Sequence, residues 1–265
     1  MKKSKLLKTK YSVISRGTEK HNNHGYMGIS EVANGFQYVL NIDHGVKKSE
    51  LNDQVLKFKT GYTVENIAFS RFEIITALMY NKNINLEDRI IIYGLGNIGF
   101  TCLIYLLDKG YSNIGVVVKR KTEKIVKLQN EMFNFYNISI NIYLYDEQME
   151  EYNVYIDTTG LSEVLENIFE HIGFQKTVII LSTPREGKYL LDPLMINRKN
   201  LVIVGGHELN GINKKFREEL FNLLLEKNKD KKFLSEYITI HPYDDEIISK
   251  IRNQKNNFIE ILKYD

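Results

Sequence analysis

Among the 265 residues there is one cysteine, there are three prolines, and there is no tryptophan. A single Cys102 excludes an internal disulfide and any metal site built from several thiolates. It falls within an apolar helical pattern, where a buried thiol is expected. Long apolar runs are also missing. No stretch approaches the roughly eighteen uninterrupted apolar residues of a membrane span. The basic opening "MKKSKLLKTK" has no apolar segment behind it, which argues against a secretion signal. A cytoplasmic protein without membrane contact is expected. Charge of one sign is lacking as well: 36 Lys and Arg face 33 Asp and Glu, a net charge of +3. The lysines are interspersed with acids, so no surface is dedicated to nucleic acid.

What is present is an alternation of strand-length and helix-length apolar runs from Arg89 onward. "RIIIYG", "NIGVVVK", "NVYIDTTG", "KTVIILS" and "NLVIVGG" read as strands, with helical patterns between most of them. Near-continuous apolar strands separated by helices predict a parallel sheet covered on both faces. The expected fold class is α/β: a doubly wound, Rossmann-type domain over residues 86–211. Both ends look different. "YSVISRGTE", "GYMGISEVANG" and "FQYVLNIDHG" suit short antiparallel strands and turns. The C-terminal part offers a helix around Lys215 to Lys227, the strand-like "EYITIHP", a helix around Asp245 to Asn253 and a closing "FIEILKY". Residues 1–85 and 212–265 are therefore expected to form one second, smaller, mostly-β domain.

The stretch Gly94-Leu95-Gly96-Asn97-Ile98-Gly99 follows the first of these strands and opens a helix, the context a dinucleotide-binding turn requires. There the first glycine permits the tight turn, the second lets the backbone approach a pyrophosphate, and the third lets helix lie close on strand. The helix N-terminus then attracts the anion. Gly94, Gly96, Asn97, Ile98 and Gly99 are candidate cofactor-binding residues. The end of the next strand discriminates between nucleotides. An acidic residue there suits the ribose hydroxyls of NAD, but the residues are Lys119, Arg120 and Lys121, which suit a 2′-phosphate. The expected cofactor is NADPH.

Nearly the whole chain then resembles the medium-chain dehydrogenase/reductase superfamily, best known from zinc alcohol dehydrogenases. The resemblance is carried by "SVISRGTEKH", "GYMGISEVANG", "AFSRFEIITALMY", "IIIYGLGNIG", "YIDTTG", "VIILS", "LVIVGGHE" and "IEILKYD". It implies that the mostly-β domain is the catalytic one, shortened between Thr18 and the nucleotide domain. Where that family places zinc ligands, this chain has Arg16-Gly17-Thr18-Glu19 and Gly25-Tyr26-Met27, with neither thiolate nor imidazole at the ligand positions, so no metal is expected. His21, His24 and Glu19 cluster in sequence and are read as loop residues. The resemblance implies substrate contact for Thr18 and proton relay for His21, with Tyr26 as an alternative proton donor. It places "DTTG" (Asp157 to Gly160), through Thr159, and Ser182 beside the nicotinamide. It also implies a homodimer joined along "NLVIVGG".

Without a metal to polarise a carbonyl, hydride from NADPH best suits an already electrophilic substrate, such as a conjugated carbon–carbon double bond. A small molecule or a peptide is the expected partner. The favoured substrate is dehydroalanine in a lanthipeptide precursor, reduced to D-alanine. The alternatives are a zinc-free dehydrogenase or reductase of a small carbonyl compound or polyol, and a non-catalytic NADPH-binding module.

Overall fold

The computed structural model describes residues 6–15, 17, 19, 25, 27–50, 55–79, 84–185, 191–207, 213–253 and 257–265. The chain opens with β1 (Leu6–Ile14), β2 (Met27–Ser30), β3 (Phe36–Leu40), β4 (Lys48–Glu50) and β5 (Leu56–Lys59), followed by α1 (Val64–Met79). The middle runs β6 (Ile90–Tyr93), α2 (Asn97–Asp108), β7 (Ile114–Val118), α3 (Glu123–Tyr136), β8 (Asn141–Leu144), β9 (Val154–Asp157) and α4 (Ser162–His171). It continues with β10 (Thr177–Ile180), α5 (Pro193–Lys199) and β11 (Val202–Gly205). Then come α6 (Lys214–Asn228), a 3-10 turn (Lys232–Tyr237), β12 (Ile238–Pro242), α7 (Asp245–Asn253) and β13 (Ile259–Lys263). Two compact units result: Met1–Ile74 with Leu209–Asp265, and Ile75–Glu208.

The contiguous unit holds a six-stranded parallel sheet of order β11-β10-β9-β6-β7-β8, the doubly wound order reversing between β6 and β9. All residues of β6 and β7 are buried, as strands covered on both faces must be. Helix α2 is buried continuously from Gly99 to Leu107, whereas α3 buries only Ile125, Leu128 and Met132 and leaves its other face wet. Across the sheet, α4 presents Val164, Leu165, Ile168 and Phe169 to Ile91, Tyr93, Tyr155 and Val178. Asparagine does much of the work that glycine usually does at helix ends: Asn137 and Asn200 close α3 and α5 in the left-handed conformation, at φ 55° and 52°.

Two elements of this unit escape the periodicity reading. Helix α5 spans 7 residues and buries none of them, so it writes no apolar stripe; only Pro193 at its first position and the Asp192 side chain accepting from the Leu194 N–H mark its start. Strand β8 lies at the sheet edge and is only partly buried.

The other unit carries a seven-stranded sheet, β12-β13-β1-β2-β3-β5, with β4 joined to β1. Its N-terminal strands pair antiparallel, and a turn at Asn34 and Gly35, both at positive φ, sits inside the Ala33–Phe36 bridge between β2 and β3. The two C-terminal strands pair with each other in parallel, and β13 then pairs antiparallel with β1, so the sheet is stitched from both ends of the chain. Among the described residues, no helix is long and apolar enough to cross a membrane.

Candidate functional site

The turn after β6 is built by exclusion of side chains. Gly94 has φ +91°, and a Cβ there would come within 2.7 Å of Thr159 Cγ2. A Cβ on Gly99 would lie 2.1 Å from the Gly94 carbonyl oxygen, so α2 can rise from the turn only because both positions lack one. Gly96 differs: a Cβ there would meet nothing within 4 Å, so its bare backbone opens onto free space. It is the N-cap of α2, and no side chain caps the helix. The first turn also contains no acid, so the positive dipole end of the helix is not offset by a carboxylate of its own.

The neighbouring strand end fixes this turn in place. The Thr158 hydroxyl donates to the Tyr93 carbonyl at 2.8 Å, with a longer approach to the Gly94 carbonyl at 3.2 Å. Asp157, wholly buried at the end of β9, accepts from the Thr159 N–H (2.8 Å) and hydroxyl (2.6 Å) on one oxygen and from the Ser182 hydroxyl (3.1 Å) on the other. Thr159 and Ser182, expected from sequence to border one site, are thus brought together by a shared carboxylate. Asp157 and Thr158 were visible in the sequence only as part of "DTTG"; their organising roles depend on contacts 65 and 25 residues away along the chain.

Lys119, Arg120 and Lys121 leave the end of β7 as exposed side chains. Lys119 and Arg120 form no ion pair among the described residues. Lys121 does: its Nζ lies 3.0 Å from both carboxylate oxygens of Glu147. Glu147 also accepts from the Leu144 N–H at 2.7 Å. That backbone bond first, and the Lys121 ammonium second, hold its carboxyl below the usual range. An acid therefore does face the basic strand end, supplied by the third strand of the unit rather than the second. Sequence distance concealed it.

Of the candidate catalytic residues, Thr18, His21 and Tyr26 lie outside the described residues. Their described neighbours Glu19 and Gly25 both meet the segment around His44. A Cβ on Gly25 would sit 2.5 Å from the His44 amide nitrogen, so that glycine permits two backbones to touch. The Glu19 carboxylate receives the Ser15 N–H at 2.8 Å and His44 Nε2 at 3.0 Å. Both side chains of that pair are 1% exposed. With Nε2–H donating, His44 Nδ1 accepts from the Ser12 hydroxyl (2.8 Å), Ser12 accepts from Tyr264 (2.6 Å), and Tyr264 accepts from the Gly45 N–H (2.9 Å). This tautomer gives Ser12, His44 and Tyr264 each one donating and one accepting role. Ser12, His44 and Tyr264 carried no motif that sequence reading could have found, because three separate segments supply them.

Cys102 is fully buried within α2, and burial pushes its thiol up to about 12, in line with the structural role read from its apolar setting.

No family model matches this sequence, and no curated protein matches it. Solved structures do resemble it. TarJ of S. aureus, in complex with NADPH, superposes with a TM-score of 0.71 at 14% identity, covering 98% of this chain and 91% of that one. The yhdH oxidoreductase from Salmonella enterica, in complex with NADP, gives 0.72 at 13% identity over 99% and 91%. L-idonate 5-dehydrogenase from Escherichia coli gives 0.74 at 11% over 98% and 91%. At these identities the likeness is one of architecture: a unit with a parallel Rossmann-type sheet and a separate, mostly-β unit are what this chain shares with TarJ, the yhdH oxidoreductase and L-idonate 5-dehydrogenase.

Proposed function

We propose that the chain is an NADPH-dependent oxidoreductase. The observation that carries this is the glycine turn at the N-terminus of α2, where a Cβ on Gly96 would meet nothing within 4 Å. In this reading Gly94, Gly96, Asn97, Ile98 and Gly99 hold the pyrophosphate through backbone amides. Lys119, Arg120 and Lys121 answer the 2′-phosphate, and Thr159 and Ser182, steadied by Asp157, border the nicotinamide. The solved complexes of TarJ with NADPH and of the yhdH oxidoreductase with NADP support the choice of cofactor. When bound, the cofactor supplies a hydride.

The finer part of the proposal concerns the acceptor, an activated carbon–carbon double bond, and specifically dehydroalanine in a lanthipeptide precursor. Hydride would add at the β carbon and a proton at the α carbon, giving D-alanine. Thr18, His21 and Tyr26 are the candidates for delivering that proton. The chain of hydrogen bonds from Glu19 through His44 to Tyr264 holds Glu19, a described residue next to Thr18 in sequence. We also propose a homodimer joined along β11, an edge strand on which Val202 is 44% exposed.

Incubation with NADPH and a dehydroalanine-containing peptide tests the reaction by mass spectrometry. The expected product is heavier by two hydrogens per reduced site, with one NADPH consumed for each. An unchanged peptide, together with NADPH oxidation in the presence of small ketones, would assign a carbonyl substrate instead. Failure to bind NADPH overturns the whole reading. Sedimentation analysis, before and after placing a lysine at Val202, tests the dimer.

A further inference from the structure

The return from β8 to β9 passes over the sheet face that α4 covers, yet residues 145–153 make it without a helix. A crossover of bare chain fills less space than a helix, and a cavity of about 530 Å³ lies beneath it. Four tyrosines line this cavity: Tyr93, Tyr145, Tyr152 and Tyr155. The rings of Tyr93 and Tyr155, from adjacent strands, stack with centroids 6.5 Å apart and planes 26° from parallel. Tyr145 donates to the Glu163 carbonyl and Tyr152 to the Tyr143 hydroxyl. Tyr93 is different. It is 1% exposed and lines the cavity, but its hydroxyl has no hydrogen-bond partner among the described residues. Burial raises its pKa, so it stays a neutral donor in search of an acceptor.

Charge on the lining has one sign. Asp146, Glu147, Glu150 and Glu151 belong to it, with no lysine or arginine among the lining residues. Lys121, Arg89 and Lys176, none of them part of the lining, pair with Glu147, Glu150 and Glu151. Asp146 has no counter-ion among the described residues. The rings already attract one cation: the Arg89 guanidinium sits 5.2 Å from the centroid of Tyr152. Stacked phenol faces, a carboxylate without a counter-ion and a hydroxyl without an acceptor, on a residue that is itself buried, together define complementary chemistry. A cation fits the first two, and an oxygen on the same molecule fits the third.

We propose that this cavity binds a small organic ammonium ion bearing an oxygen acceptor. The ammonium head packs on the tyrosine rings, Asp146 supplies the counter-charge, and the Tyr93 hydroxyl donates to the ligand oxygen. The cavity shares the Glu147–Lys121 pair with the proposed phosphate site, but the proposal does not rest on that reading.

Choline is a suitable probe, because 3,3-dimethylbutan-1-ol is its uncharged carbon isostere with the hydroxyl retained. Titration of the full chain without nucleotide, followed by calorimetry and by tyrosine ring chemical shifts, should give saturable choline binding about fivefold tighter than the isostere. Asp146→Asn, at an exposed position, should cut that preference to about twofold or less, while leaving the isostere's affinity unchanged. Tyr93→Phe keeps the ring and should weaken both ligands about equally. Equal affinity for choline and the isostere, no saturation at millimolar choline, or choline binding unaltered in both variants would each overturn the proposal.

Discussion

The Oδ1 atom of Asp157 holds Thr159 twice, receiving its N–H at 2.8 Å and its hydroxyl at 2.6 Å, while Oδ2 takes the Ser182 hydroxyl. Replacing the carboxylate by an amide, Asp157→Asn, turns one acceptor into a donor that faces donors already in place. The expected cost is about 2 kcal/mol, or a fall in Tm of roughly 4–8 °C. NADPH affinity should fall with it, since the turn and its neighbouring strand end are set by the same hydrogen bonds. Differential scanning calorimetry and nucleotide titration check the two effects separately.

The glycines of the turn should divide cleanly. Gly96→Ala introduces a methyl that meets no protein atom, so Tm should stay within about 1 °C while NADPH binding weakens tenfold or more. Gly99→Ala drives a methyl to 2.1 Å from the Gly94 carbonyl and should destabilise the fold by about 3 kcal/mol or more. A drop in stability for Gly96→Ala equal to that for Gly99→Ala would remove the argument that the first faces a ligand.

At the basic strand end, Arg120→Ala should weaken NADPH by about 10- to 100-fold and leave NADH nearly unchanged. Glu147→Gln should do the reverse on a smaller scale. It frees Lys121 from an exposed ion pair, so NADPH should tighten about two- to fivefold, more at low salt than at high.

The buried pair of Glu19 and His44 predicts an asymmetric response. His44→Ala removes the Nε2–H donor to Glu19 and the Nδ1 acceptor of Ser12 from a buried setting and should cost about 3 kcal/mol. Tyr264→Phe, at the far end of the same chain, removes the donor to Ser12 and the acceptor of the Gly45 N–H and should cost about 1–2 kcal/mol. Urea denaturation of the two variants measures both.

Cys102 gives a pH signature. Its folded-state pKa, about 12, is raised above the unfolded value of 9.0, so below pH 9 it contributes no pH dependence. Between about 9 and 12 the unfolded chain releases a proton that the native state keeps, and stability falls as pH rises. Cys102→Ala should lower stability at neutral pH by creating a void, yet show a shallower decline over that alkaline window. Denaturation at pH 7 and pH 10.5 compares the slopes.

The parts legible in the sequence are those whose causes are local. β6 and β7 announced themselves by unbroken apolar runs, α2 by the glycine turn before it, and Cys102 by its apolar setting. Helix α5 was illegible because it buries nothing, and β8 because an edge strand needs no strong pattern. The site was half legible for a similar reason. Gly94, Gly96 and Gly99 act through their own backbone, so their spacing reveals them. Glu147, His44, Ser12 and Tyr264 act through partners 26, 25, 32 and 252 residues distant, and nothing in their immediate neighbours records those partnerships. Lys121 shows how the two kinds of information combine, since its charge could be read while its neutralising partner could not.

The stitching of β1 to β13 sets an order of events during synthesis. The strand that completes the far edge of β1, Ile259–Lys263, is made about 245 residues after β1 itself. At typical ribosomal speeds that is a wait of about 12–50 s. The unit Ile75–Glu208 is continuous and can fold during this interval, while Leu6–Ile14 must pass it with one hydrogen-bonding edge exposed to other nascent chains. Chaperone demand should therefore fall on β1 rather than on the parallel sheet.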